Sequence, residues 1–122
     1  MSESQVVDLA SGVTWSQSSF AKAQTWSYLI YTHVEVDVPG QFGGSGSTWG
    51  IAVGGSALAG TLFYDSEDTL LSAENDFYMV TFSIGFGGGG ILFVIDGNPV
   101  GFLALGSIGV DWAFAYGKFT WT

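Results

Sequence analysis

From Trp26 to Val38 apolar and polar residues alternate. Trp26, Tyr28, Ile30, Thr32, Val34, Val36 and Val38 fall on one parity, and Ser27, Leu29, Tyr31, His33, Glu35 and Asp37 on the other. A two-residue period held this long predicts a single half-buried strand, ended by Pro39-Gly40. Gly43 to Ser47 reads as a flexible loop, after which Trp49, Ile51 and Val53 share one face of a second strand. Gly54-Gly55 signals a turn, and Leu58, Leu62 and Tyr64 mark the next strand. Tyr78, Val80, Phe82, Ile84 and Phe86 form the even face of another, and Gly87 to Gly90 turn the chain. Ile91 to Ile95 is apolar on both parities, as in a strand covered on both sides. Asp96-Gly97-Asn98-Pro99 predicts a tight hairpin into Val100 to Leu105. The closing strand runs from about Ser107 to Trp121, with Trp112, Phe114 and Tyr116 opposite Ala113, Ala115 and Gly117.

One short helix, over 66–74, interrupts the strands. Asp65 or Ser66 can cap it, Glu67 and Asp68 lie in the first turn where the helix dipole favours anions, and Leu70, Leu71 and Ala73 supply its buried side. Residues 1–25 read least clearly. Val6, Val7 and Leu9 are compatible with the start of a strand, and Ser16 to Gln24 with either a short helix capped by Ser16 or a loop. Strands with turns every eight to twelve residues predict an all-β barrel or sandwich. The alternation of large and small residues in the closing segment favours a small closed antiparallel barrel of about eight strands. At 122 residues the chain is expected to form one domain, 1–122.

Composition narrows the function. There is no cysteine, so disulfide and thiolate chemistry are excluded. Apolar residues make up 48 % and charged residues 11 %, which excludes disorder. Eleven carboxylates stand against two lysines and no arginine, for a net charge of −9. Such a chain repels phosphate backbones and has no basic stripe to neutralise them, so nucleic acid is not an expected partner. No window reaches the ~18 apolar residues of a membrane-spanning helix, so integral membrane insertion is not expected. The N-terminus lacks the basic region and apolar run of a secretory signal. As it stands that reads as cytoplasmic, or as secreted with the signal already removed.

Candidate chemistry is thin. His33 is the only histidine, so neither a two-histidine metal site nor a histidine cluster can be built. On the polar parity beside Glu35 and Asp37 it reads as a solvated surface residue. Glu35 and Asp37 lack the cleft and desolvation that a glycosidase carboxylate pair needs. Asp65, Glu67 and Asp68 fit helix capping better than a calcium cage, and Asp96-Gly97-Asn98 lacks the downstream glutamate of a calcium loop. Gly85-Phe86-Gly87-Gly88-Gly89-Gly90 spells a dinucleotide fingerprint, with Asp111 about twenty residues on. That motif works only where the glycines open a helix, and here the β-run from Ile91 follows. No catalytic residue, cofactor or metal is therefore expected. An outer-membrane barrel is disfavoured by the short Ile91–Ile95 strand and the missing polar lumen.

The order of elements resembles the virulence-associated protein (Vap) family of an actinobacterial pathogen. The resemblance runs over roughly 26–122. It rests on Gly60-Thr61-Leu62-Phe63, the acidic helix within Asp65 to Asn75, and the strand led by Phe77. It continues through Ile91 to Ile95, Asp96, Gly101 with Leu103 and Gly106, and a glycine-rich close ending in tryptophan. It implies an eight-stranded antiparallel barrel with Greek-key connections and one short helix. It also implies a non-enzymatic protein with no evident ligand pocket, acting in host–pathogen interaction. The chain departs from the family in lacking a secretion signal and a long N-terminal region, and in a shorter hairpin at Asp96.

The expectation is a non-catalytic interaction or effector-like module, a monomer or weak dimer, with a protein partner. The alternative is a small carbohydrate-binding protein. Trp15, Trp49 and Trp121 are the candidate binding residues, since an exposed tryptophan beside polar groups can anchor a partner or stack on a sugar.

Overall fold

A computed structural model describes residues 2–28, 30–49, 56–81, 88–106 and 114–122. The strands are β1 (Gln17–Tyr28), β2 (Tyr31–Val38), β3 (Phe42–Trp49), β4 (Ser56–Tyr64), β5 (Asn75–Thr81), β6 (Gly89–Ile95), β7 (Asn98–Leu105) and β8 (Ala115–Trp121). They close into one antiparallel barrel in the order β1-β2-β3-β8-β5-β6-β7-β4. Each half is a Greek key. β4 returns to lie beside β1, and β8 returns to lie beside β5. The β3–β8 and β4–β7 pairings then join the halves and leave no open edge.

The interior alternates bulky rings with residues that lack a side chain. Phe77, Phe93, Phe119 and Trp121 fill it with centroid separations between 4.7 and 5.8 Å. Across from them β3 presents Gly44 and Gly46. A Cβ on Gly46 would lie 2.9 Å from the Phe77 and Phe119 rings. The segment 43–47, expected as a loop, is therefore a strand whose inward positions are emptied to admit rings from β5 and β8. Apolar side chains dominate the packing across the barrel, with Thr25, Thr32, Thr48 and Asn75 as its buried polar residues.

The alternation expected through Trp26 to Val38 breaks at a hairpin between β1 and β2. Ala21, Ala23 and Thr25 face inward on β1, whereas Thr32, Val34, Val36 and Val38 do so on β2. Trp26 thus lies on the outer face, paired with His33. In β1 the small residues are inside, and Phe20, Lys22 and Gln24 are outside. That inversion hid the strand, so the helix or loop expected over Ser16 to Gln24 is replaced by β1.

Two helices accompany the barrel. α2 (Glu67–Leu71) is the expected short helix. Ser66 caps it through Thr69 N–H at 3.2 Å, and Leu70 drops into the core. Ala73, expected on its buried side, is exposed. Asp65 does not cap. Its carboxylate accepts from Ser16 N–H at 2.8 Å and ties the start of β1 to the end of β4.

α1 (Glu3–Ser11) stands where a strand was expected. Its Val6 and Ala10 cover Tyr78, Val80, Leu92 and Val94 on the outside of β5 and β6. Strand β6 is consequently buried on both faces, as its sequence predicted. Gly89 and Gly90, expected in a turn, are its first residues. The β6–β7 connection is a two-residue hairpin with Asp96 at φ 50° and Gly97 at φ 79°, the pair of positive φ angles that a tight β-hairpin uses. The expectations for Ile51, Val53, Gly54-Gly55, Phe82, Ile84, Phe86 and Ser107 to Ala113 lie outside the described residues.

Candidate interaction surface

The three candidate tryptophans are not brought together. Trp121, the penultimate residue of the chain, points into the barrel and is 7 % exposed. Its indole N–H donates to Asn75 Oδ1 at 2.9 Å, and it cannot reach a ligand. Parity decides this, because Gly117, Phe119 and Trp121 share the inward face of β8. Trp15 is half-buried in the connection between α1 and β1. Trp49 is 79 % exposed at the end of β3. It is the register partner of Tyr31 on β2, and Ile30 precedes Tyr31 in the turn. Ile30 and Tyr31 are also exposed, so three large apolar side chains gather at one rim of the barrel.

Below this rim a polar row crosses five strands. The pairings Trp26↔His33, His33↔Ser47, Ser47↔Lys118 and Lys118↔Asp76 are continuous from β1 to β5. His33 lies on the outer face, as expected, with its side chain 32 % exposed. Its Nδ1 is 3.3 Å from Ser47 Oγ, its Nε2 is 3.4 Å from Glu35 Oε1, and its ring lies 5.6 Å from that of Trp26. At the far end Lys118 donates to Asp76, as does the Tyr116 hydroxyl at 3.2 Å.

The next rows carry Gln24, Glu35 and Ser45, then Lys22, Asp37 and Gly43. With Ala57 and Ala59 of β4 they form an open groove enclosing about 820 Å³ on the outer wall. The resemblance implied no ligand pocket, and this groove was not legible from it.

Charge is unevenly placed. Both lysines of the chain, Lys22 and Lys118, stand on this wall, facing Glu35, Asp37 and Asp76. The remaining described carboxylates lie on α1, on α2 and its flanks, and in the β6–β7 turn. The wall is therefore almost neutral on a molecule of net charge −9. Among the described residues no group of three or more histidine or carboxylate side chains converges on a metal position. No described helix is long and apolar enough to cross a membrane.

A family model described as Rhodococcus equi virulence-associated protein matches residues 2–122. Among solved structures, the chain is similar to the virulence-associated protein VapB from the intracellular pathogen Rhodococcus equi. The match has a TM-score of 0.75 at 21 % identity and covers 87 % of this chain and 96 % of that one. No curated protein matches by sequence.

Proposed function

The chain belongs to the Rhodococcus equi virulence-associated protein family, and on that premise we propose that it is a non-catalytic interaction module whose partner is a protein. The observation that carries this reading is Trp49, 79 % exposed beside Tyr31 and Ile30. Leaving a tryptophan largely in water, beside two partly exposed apolar side chains, forgoes burial worth on the order of 1.5–3 kcal/mol for a fully exposed large side chain. Exposed Trp and Tyr anchors of this kind dominate binding energy where a partner covers them.

The surrounding wall fits the same reading. Its charges balance locally, so a partner approaches without the repulsion that the rest of the surface imposes. The rim rests on paired strands of a closed barrel, so little order has to be gained on binding. Within this proposal the contact lies between bacterium and host, a reading that the family's virulence association supports.

The test is affinity capture from host-cell extract by the whole protein, by Trp49→Ala and by Thr120→Ala, an exposed position on β8. A partner retained by the wild type and Thr120→Ala but lost with Trp49→Ala is expected. Recovery of no Trp49-dependent partner counts against the reading.

A further inference from the structure

The groove beside the tryptophan–histidine pair has the makings of a second site on the same wall, apart from the Trp49 rim, and we propose that it binds a neutral, unbranched oligosaccharide. Of the tryptophans considered for a lectin, Trp121 drops out because it is internal. The groove supplies a different constellation, assembled across neighbouring strands.

Ala57 and Ala59 of β4 line one side of it and Gly43 of β3 the other, small enough to leave room beside the wall. Between them, β1 and β2 offer hydrogen-bonding groups of both senses, joined by Ser45 of β3. Lys22 and the Gln24 amide donate, Glu35, Asp37 and the Gln24 carbonyl accept, and the Ser45 hydroxyl does either. A sugar presents hydroxyls that need both at once, and neighbouring hydroxyls are matched by carboxylate or amide pairs. All these residues sit in register on β1, β2 and β3, so their spacing is held by ladder hydrogen bonds.

One residue pair further along the same strands stands Trp26, its ring held against His33 at 5.6 Å. A step of two residues advances about 7 Å along a strand, the scale of a single sugar unit. The C–H face of a pyranose carries slight positive charge and meets the negative π-face of an indole. The groove thus provides polar subsites that lead to an aromatic stop.

Charge selects among glycans. Lys22 opposes Asp37 in register, which leaves Glu35 as the one unbalanced charge among the groove's Lys22, Glu35 and Asp37 side chains. Outside it the protein is anionic. Uronates, sulfated sugars and sialosides are repelled, whereas neutral hexose chains are not.

The experiment is an NMR titration of the whole ¹⁵N-labelled protein with cello-, laminari- and manno-hexaose at concentrations up to about 5 mM, the weak end of specific binding. The expected result is movement of the Gln24 side-chain amide, the Ser45 amide and the Trp26 indole resonance with at least one of the three. Gln24→Ala, at an exposed position that leaves the fold intact, should weaken that binding about tenfold. Trp49→Ala should leave it unchanged, which separates this site from the protein-docking rim. A hexamer of polygalacturonate should not bind. Silence with all three neutral hexasaccharides, shifts confined to residues outside the groove, indifference to Gln24→Ala, or equal binding of the acidic hexamer would each overturn the proposal.

Discussion

The indole N–H of Trp121 donates to the side-chain carbonyl of Asn75 at 2.9 Å, inside a largely apolar barrel. The Asn75 amide in turn donates to the Leu70 and Ala73 carbonyls at 3.2 and 2.9 Å. One asparagine thereby satisfies the largest ring of the core and the C-terminal carbonyls of α2. Asn75→Ala strips the partner from two buried polar groups, the Trp121 indole N–H and the Leu70 carbonyl, and should cost about 2–4 kcal/mol. Trp121→Phe removes one bond and should cost less. Urea unfolding of both variants measures the difference; a cost for Asn75→Ala within error of zero would show that the network is incidental.

Two glycines predict opposite behaviour for the same substitution. A Cβ on Gly46 would drive into the Lys118 carbonyl and lie 2.9 Å from both the Phe77 and Phe119 rings. Gly46→Ala overpacks a rigid barrel and should cost about 3 kcal/mol. Gly40 has φ +77° but nothing within 4 Å of the added carbon. Gly40→Ala should cost only the backbone term of about 1–2 kcal/mol. Thermal melts of the pair rank them; a smaller loss at Gly46 would contradict the ring-against-glycine packing.

That packing also explains which parts of the fold were legible. β2 and β6 could be read because their buried positions carry Val, Ile, Leu and Phe, so burial and hydropathy coincide. β3 could not, since its buried positions include Gly44 and Gly46, and a strand that makes room resembles a loop. β1 was hidden because it buries alanines and turns Phe20 and Trp26 outward. The same parity argument, extended along β8 from Phe119, places Trp121 inside and would have removed it from the candidate site. The groove was illegible for a different reason: it is assembled from short stretches of four strands, and only register brings Gln24, Glu35 and Ser45 side by side.

α1 had a signal that could have been used. Ser2 and Gln5 form a reciprocal capping box, with Gln5 N–H on Ser2 Oγ at 3.3 Å and Ser2 N–H on Gln5 Oε1 at 2.8 Å. An isolated nine-residue helix is marginal in water, so α1 is held by its cap and by Val6 and Ala10 on the sheet. Ser2→Ala should weaken it by about 1 kcal/mol. Because the barrel closes without α1, global stability should fall little. Amide exchange should accelerate within α1 first, and uniform acceleration across the barrel would show that the helix is part of one cooperative unit.

Alkaline sensitivity follows from the Asp76–Lys118–Tyr78 neighbourhood. Burial raises the Tyr78 phenol above its ordinary 10.0, with Tyr116 and Asp76 adding to the rise and Lys118 opposing it. Lys118 is raised as well, by its hydrogen bond to Asp76 and then by that to Tyr116. Both groups hold their protons more tightly folded than unfolded. Their stabilisation is complete below the unfolded values and is lost as pH climbs through the folded ones. Lys118 is exposed and screened, so Tyr78 should carry most of the effect. Urea midpoints should hold steady from about pH 7 to 9 and fall above about 10. Tyr78→Phe should blunt that fall; midpoints that rise above pH 10 would reverse the assigned sign.

The rim at Trp49 makes a prediction that separates binding from folding. Trp49 is 79 % exposed, so Trp49→Ala removes almost no intramolecular packing and should change stability by less than about 0.5 kcal/mol. A partner that covers the indole should lose tenfold or more in affinity, as expected of roughly 2 kcal/mol at a hot spot. The local balance of Lys22 and Lys118 against Glu35, Asp37 and Asp76 adds a second signature. Binding at a near-neutral wall should weaken little between roughly 50 and 500 mM salt, whereas contact with the acidic remainder of the surface would be screened away. Sedimentation of the wild type and Trp49→Ala over the same salt range tests self-association at this rim. A dimer abolished by Trp49→Ala would make a second copy of the chain the occupant of this rim, in place of a foreign protein.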